Sequence, residues 1–231
     1  MSLSLTHFNV ITPFVLLLTY FSAFKNGKMT CDNYLRNTFL YILSIYCVFI
    51  SSMSIEKEYD ISSKIPLGLI IFIIVIFALY FIKNVLIRHM CLFYIVFYIG
   101  ITSYDFITRF DEELIYDTIY RVLIALVLCI FISYKYGHLL KDGGYKYLVY
   151  LLLTTVIISI IDFIFISKKQ NIIYSYIFIV LFLGFLLYDI KFIFQRKGNC
   201  NSSNVDYIDG SLDIFLDTLN LFKQGLIIME E

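Results

Sequence analysis

The chain alternates long apolar runs with short polar turns. The runs lie near residues 8–24, 35–55, 66–82, 86–104, 120–134, 147–166, 172–194 and 211–229. A membrane-spanning helix needs about 20 mostly apolar residues with few charges, so this pattern predicts membrane helices almost end to end. The first and last runs are weaker. The first is short but uncharged, fit to span, to lie in the interface, or to act as an uncleaved signal anchor. The last carries Asp213, Asp217 and Lys223, which suits a half-buried or re-entrant helix shielded by protein better than one facing lipid. The expected fold is an all-α polytopic membrane protein: a six-transmembrane-helix core, a C-terminal half-buried or re-entrant helix, and an additional N-terminal hydrophobic helix.

Composition agrees with the pattern. The 231 residues are 60% hydrophobic and only 16% charged, against about 45–50% apolar and about a quarter charged in soluble domains. This excludes an ordinary soluble enzyme. Twenty tyrosines and 23 phenylalanines exclude intrinsic disorder. Eighteen basic residues balance 18 acidic ones, leaving no positive field for nucleic acid.

The balance hides a direction. Basic residues gather at Lys25, Lys28 and Arg36, at Lys83 and Arg88, at Lys135, Lys141 and Lys146, and at Lys191, Arg196 and Lys197. Acidic ones gather in the alternate connections, most densely at Asp111, Glu112, Glu113 and Asp117. Lysine and arginine mark the cytoplasmic side, which places the basic turns and the C-terminus there. Lys168 and Lys169 alone dissent. Lys141-Asp-Gly-Gly reads as a turn, and residues 196–209 as a loop. The glycosylation acceptor Asn201-Ser202-Ser203 would face the cytoplasm and stay bare.

Five cysteines, at 31, 47, 91, 129 and 200, form no close pair, so no disulfide framework is expected. His7, His89 and His138 stand at no zinc spacing from them. No hydrolase or nucleotide-binding motif occurs, and no enzymatic activity or cofactor is expected.

The chemistry therefore rests on carboxylates inside apolar segments, each costing roughly 2.5–3.5 kcal/mol at the centre of a bilayer. Asp189 follows Tyr188 toward the end of one run. Asp213 and Asp217 stand four apart on one helical face, with Asn220 adjoining it. If that face packs on the preceding helix, Asp189 and Asp217 approach, hold one shared proton, open when both ionise, or bind calcium transiently through their oxygens. The alternatives are that Asp189 merely caps the membrane boundary and that Asp213 reaches water.

At Leu187-Tyr188-Asp189 and Leu216-Asp217-Thr218-Leu219-Asn220-Leu221-Phe222 the sequence resembles the transmembrane Bax-inhibitor-motif family, which includes Bax inhibitor, the Lifeguard and Golgi anti-apoptotic proteins and a bacterial calcium-leak homologue. Tyr34-Leu35-Arg36-Asn37-Thr38-Phe39 is similar to that family's approach to its first helix. The resemblance divides the chain into an N-terminal hydrophobic extension, 1–33, and a transmembrane domain, 34–231. It implies that Asp189 and Asp217 are a pH-sensing pair beside a cation path, with Tyr188, Asp213 and Asn220 in support. Lys83 or Lys191 would stand in for an arginine that latches the pair in some members. The implied function is a pH-sensitive calcium leak of the endoplasmic reticulum or Golgi that inhibits apoptosis. The alternative is a non-conducting protein that binds apoptosis-related membrane proteins and modulates host death or receptor pathways. Richness in Ile, Tyr, Phe, Asn and Lys resembles an AT-rich coding genome and a viral member.

Overall fold

Within hydrocarbon every backbone N–H and C=O must find its partner inside the protein, and a helix does this within one segment. The apolar runs accordingly fold as helices in a computed structural model that describes residues 6–25, 28–59, 65–141, 143–165, 172–200 and 205–230. The order is α1 (Thr6–Ala23), β1 (Phe24–Lys25), β2 (Lys28–Met29), α2 (Tyr34–Tyr59), α3 (Ile65–Phe81), α4 (Val85–Ile107), α5 (Glu112–Tyr136), a 3-10 turn (Gly137–Leu139), α6 (Gly144–Phe165), α7 (Ile172–Gly198) and α8 (Ile208–Glu230). Five of these helical stretches are long and apolar enough to cross a membrane: Tyr34–Lys57, Val85–Ile107, Glu112–Leu139, Gly144–Asp162 and Ile172–Gly198. The apolar parts of α1 and α3, Val10–Ala23 and Gly68–Leu79, are shorter. The fold is that of an all-α polytopic membrane protein.

Helix ends run past the apolar blocks where charge favours it. α5 starts at Glu112, with Glu112 and Glu113 in its first turn, and α7 runs to Gly198, with Arg196 and Lys197 in its last. Acidic side chains suit a helix N-terminus and basic ones its C-terminus. The loop expected from residue 196 therefore starts at 199. The turn at Lys141 is present, closed by Gly144 N–H on the Lys141 carbonyl at 2.9 Å. Lys168, Lys169 and Asn201-Ser202-Ser203 lie outside the described residues.

The chain divides into two compact units, residues 1–109 with 199–212, and residues 110–198 with 213–231. In the first, α1 lies along α2 through paired hydroxyls. Thr12 Oγ1 is 2.7 Å from Ser51 Oγ, and Thr19 Oγ1 is 2.7 Å from Ser44 Oγ. Thr12 and Thr19 are two helical turns apart, so one polar stripe of α1 meets one stripe of α2. α2 and α4 approach closely at Gly100, where the missing side chain leaves room for Ser52 and the Phe49 carbonyl. α3 meets α4 through Phe72 stacked on Tyr98, ring centres 4.7 Å apart.

β1 and β2 pair antiparallel as a short hairpin after α1. Lys25 beside Asp32 holds that exposed carboxyl below the ordinary carboxylate value. The expectation of unpaired cysteines fails here, because Cys31 and Cys200 form a disulfide across 169 residues of sequence. Spacing shows only local pairs, whereas the fold brings Cys31, two residues past the hairpin, to Cys200, two residues past α7. Cys47, Cys91 and Cys129 are free and buried.

The start of α8 is held in this unit. Asp206 Oδ1 accepts from Ile208 N–H at 2.8 Å, satisfying one of the orphan donors of a helix N-terminus. Its Oδ2 accepts from Arg88 Nη1 at 2.9 Å, and Arg88 Nη2 reaches Asp209 Oδ1 at 2.9 Å. Both ion pairs are part-exposed, so together they contribute about 1 kcal/mol. Arg88→Gln is expected to lower the thermal midpoint of the purified protein by ~2–4 °C, with a smaller loss in high salt background. An unchanged midpoint at low salt would show the fork to be idle.

Candidate functional site

The second unit gathers α5, α6, α7 and most of α8. Apolar surface alone gives little drive for helices to associate in lipid, so small residues and polar contacts decide the packing. Ser133 Oγ on α5 donates to the Leu187 carbonyl on α7 at 2.9 Å. Gly184 on α7 lies against Leu148 on α6, where a Cβ would stand 3.1 Å from the leucine methyls. Near the far end of α8, Thr118 Oγ1 is 3.4 Å from Met229 Sδ, and Gly225 lets α8 approach the Thr118 methyl.

This packing places Asp189 of α7 and Asp217 of α8 together. Each is 8% exposed, and their carboxyl groups interact directly with each other. Ionised carboxylates are acceptors only, so a hydrogen bond between two carboxyls requires a proton on one of them. Asp217 Oδ2 is fully enclosed, and no donor group of the protein reaches it. The surrounding charges are unequal. Arg196, two turns beyond Asp189 on α7, and Asp213, one turn before Asp217 on α8, both act on the pair electrostatically. The free thiol of Cys129 on α5 also lies within the electrostatic reach of Asp217.

The flanking residues fix how α7 presents Asp189. Tyr188 donates its hydroxyl to the Lys141 carbonyl at 3.0 Å, and Lys191 Nζ donates to the Leu140 carbonyl at 2.5 Å. Both grip the turn between α5 and α6. The grip depends on Gly144, where a Cβ would lie 1.9 Å from the Tyr188 hydroxyl. The Lys191 ammonium also sits over the Tyr188 and Phe192 rings, 5.7 and 5.9 Å from their centres, a placement worth more when desolvated.

Other sequence candidates fall at different places. Asp213 is exposed. Asn220 turns its amide back onto its own helix, donating to the Leu216 carbonyl at 2.8 Å. Lys83 is exposed and belongs to the first unit, between α3 and α4. Arg196 was legible only as a basic helix end, although its spacing of seven from Asp189 puts both on one side of α7. Among the described residues, no group of three or more His, Cys, Asp or Glu side chains is arranged to hold a metal ion. Calcium prefers six to eight oxygens, more than the two carboxyls alone supply.

A family model described as an inhibitor of apoptosis-promoting Bax1 matches residues 31–231. Bax inhibitor 1 of Drosophila melanogaster is 29% identical over 106 residues, 44% of this chain and 42% of that protein. The chain thus spans less than half the length of this curated relative in the aligned region. The family match takes in both Asp189 and Asp217 and leaves the whole of α1 outside it.

Proposed function

Because the chain belongs to the Bax inhibitor family, we propose that this integral membrane protein opposes apoptosis by letting calcium leak from an internal store, under control of the Asp189–Asp217 pair. The store is the endoplasmic reticulum or Golgi, and the C-terminus faces the cytoplasm with the basic turns. The observation that carries the reading is the enclosed contact between two carboxyls with no donor group at Asp217 Oδ2.

The mechanism follows from counting protons. With one proton between them the two carboxyls attract, and α8 stays against α7. Loss of that proton leaves two negative charges side by side, which repel by about 4 kcal/mol at 4 Å for an effective dielectric constant of 20. Separation admits water, and hydrated carboxylates then offer hard oxygen ligands to a passing calcium ion. Acid closes this path and alkali opens it. Tyr188 and Lys191 hold α7 on the α5–α6 turn, so the movement belongs to α8.

Purified full-length protein in calcium-loaded liposomes is expected to release calcium faster than empty liposomes, with a rate that rises with pH. Release no faster than from empty liposomes, at any pH, would leave the family's anti-apoptotic role to contacts with other membrane proteins and would remove the leak.

A further inference from the structure

The Cys31–Cys200 disulfide plays no part in the carboxyl site, yet it lies beside the contacts that fix the start of α8. Tyr207, one residue before α8, is fully buried. Its ring lies 5.2 Å from that of Tyr34 and 5.3 Å from that of Tyr41. Its hydroxyl donates to the carbonyl of Thr30, the residue next to Cys31, and accepts from Asn37 Nδ2 at 3.2 Å. Ser211 Oγ and Tyr34 Oη add bonds to Thr38 O and Asp206 O. Covalent and non-covalent holds thus converge on one point. Both cysteines are only half-buried, so small thiols can reach the bond, and access is one determinant of exchange.

Two general rules conflict at this place. Lys25, Lys28 and Arg36 on one side of the bond and Arg196 and Lys197 on the other mark a cytoplasmic face. Disulfides on that side are ordinarily transient or redox-sensing, because cytosolic thiols reduce them. A bond that is made and broken satisfies both rules. We propose that Cys31–Cys200 is a thiol–disulfide exchange site that staples the start of α8 when oxidised and frees it when reduced, with low-molecular-weight cellular thiols as the reductant.

The exchange balances. A small-molecule thiolate attacks one cystine sulfur, the other sulfur leaves as a thiolate and takes up a proton, and a mixed disulfide results. A second small thiolate attacks the small-molecule sulfur of that intermediate. Two electrons have then passed to the protein as two cysteine thiols, and the two small molecules leave joined by a disulfide. In the reduced state non-covalent contacts such as the Tyr207 bonds and the Arg88 ion pairs are left to hold residues 205–211, so this segment opens more often.

The assignment to a reducing face rests on the orientation proposed above, and the test separates the two. In cells expressing the full chain with a C-terminal tag, thiols are trapped with acid and counted by mass-tagged maleimide under denaturation. Three tags mark the oxidised chain and five the reduced one, since five cysteines are present and two are bonded. The oxidised fraction is expected to fall when a membrane-permeant dithiol is added and to return on its removal. An invariant fraction with the tag digestible from the cytosol would overturn the exchange site alone. A tag digestible only from the lumen would overturn the orientation, and the switch with it. In nanodiscs, hydrogen exchange of residues 205–212 is expected to rise roughly tenfold or more on reduction, and to stand at that level in the Cys31→Ser, Cys200→Ser double variant without reductant. Equal exchange in oxidised and reduced protein would overturn the staple.

Discussion

Gly100→Ala is expected to lower the thermal midpoint of the purified protein by ~6–12 °C, corresponding to about 3 kcal/mol of overpacking. The added Cβ would stand 1.8 Å from Ser52 Oγ and 2.6 Å from the Phe49 carbonyl oxygen. The first contact is with a side chain already turned onto its own helix, Ser52 Oγ donating to Phe49 O at 2.6 Å. The second is with backbone, which cannot rotate away, so α4 must withdraw from α2. Ser52→Ala combined with Gly100→Ala is therefore expected to recover less than half of the loss. Thermal unfolding of the unaltered protein and the two variants in detergent checks both values. Tolerance of the single change would mean that the two helices are not in contact at this residue.

Asp189→Asn and Asp217→Asn are each expected to abolish the pH response of calcium release while leaving the protein folded. An asparagine amide can donate to the remaining carboxylate, replacing the shared proton with a fixed hydrogen that pH does not remove. In the unaltered protein, repulsion of the ionised pair is large compared with the 1.4 kcal/mol that corresponds to a factor of ten. Release from liposomes is therefore expected to rise at least tenfold between acid and alkaline pH, and to be flat in either variant. A retained pH response in both would place the sensor elsewhere. Asp213→Asn, by contrast, removes a charge that acts on the pair from an exposed position, and is expected to shift the response modestly without abolishing it.

The carboxyl pair was visible in the sequence because the bilayer makes an aspartate conspicuous: Asp189 and Asp217 interrupt apolar helices, and burial there demands a partner. Helix periodicity also aligned Asp213 with Asp217. It could not say where along that face cover begins, and one turn of helix, about 5.4 Å, separates exposed Asp213 from buried Asp217. Lys191 was expected to serve as a latch on the carboxyls. Its 2.5 Å bond to the Leu140 carbonyl secures a turn, a placement set by tertiary packing that no local pattern encodes. Distance along the chain hid the rest. Cys31 finds Cys200 across 169 residues, and Arg88 finds Asp206 and Asp209 across 118 and 121. Such pairings depend on how the intervening helices return, which apolar run lengths do not specify. The helices themselves were legible for the opposite reason, since each is dictated by the residues within it.

The central claim is that one proton lies between Asp189 and Asp217, and infrared difference spectroscopy of the protein in membranes tests it most directly. The account predicts a protonated-carboxyl stretch in the unaltered protein at neutral pH, lost on alkalinisation and absent at neutral pH from both Asp189→Asn and Asp217→Asn. No such band in the unaltered protein, or a band that survives in both variants, would contradict it.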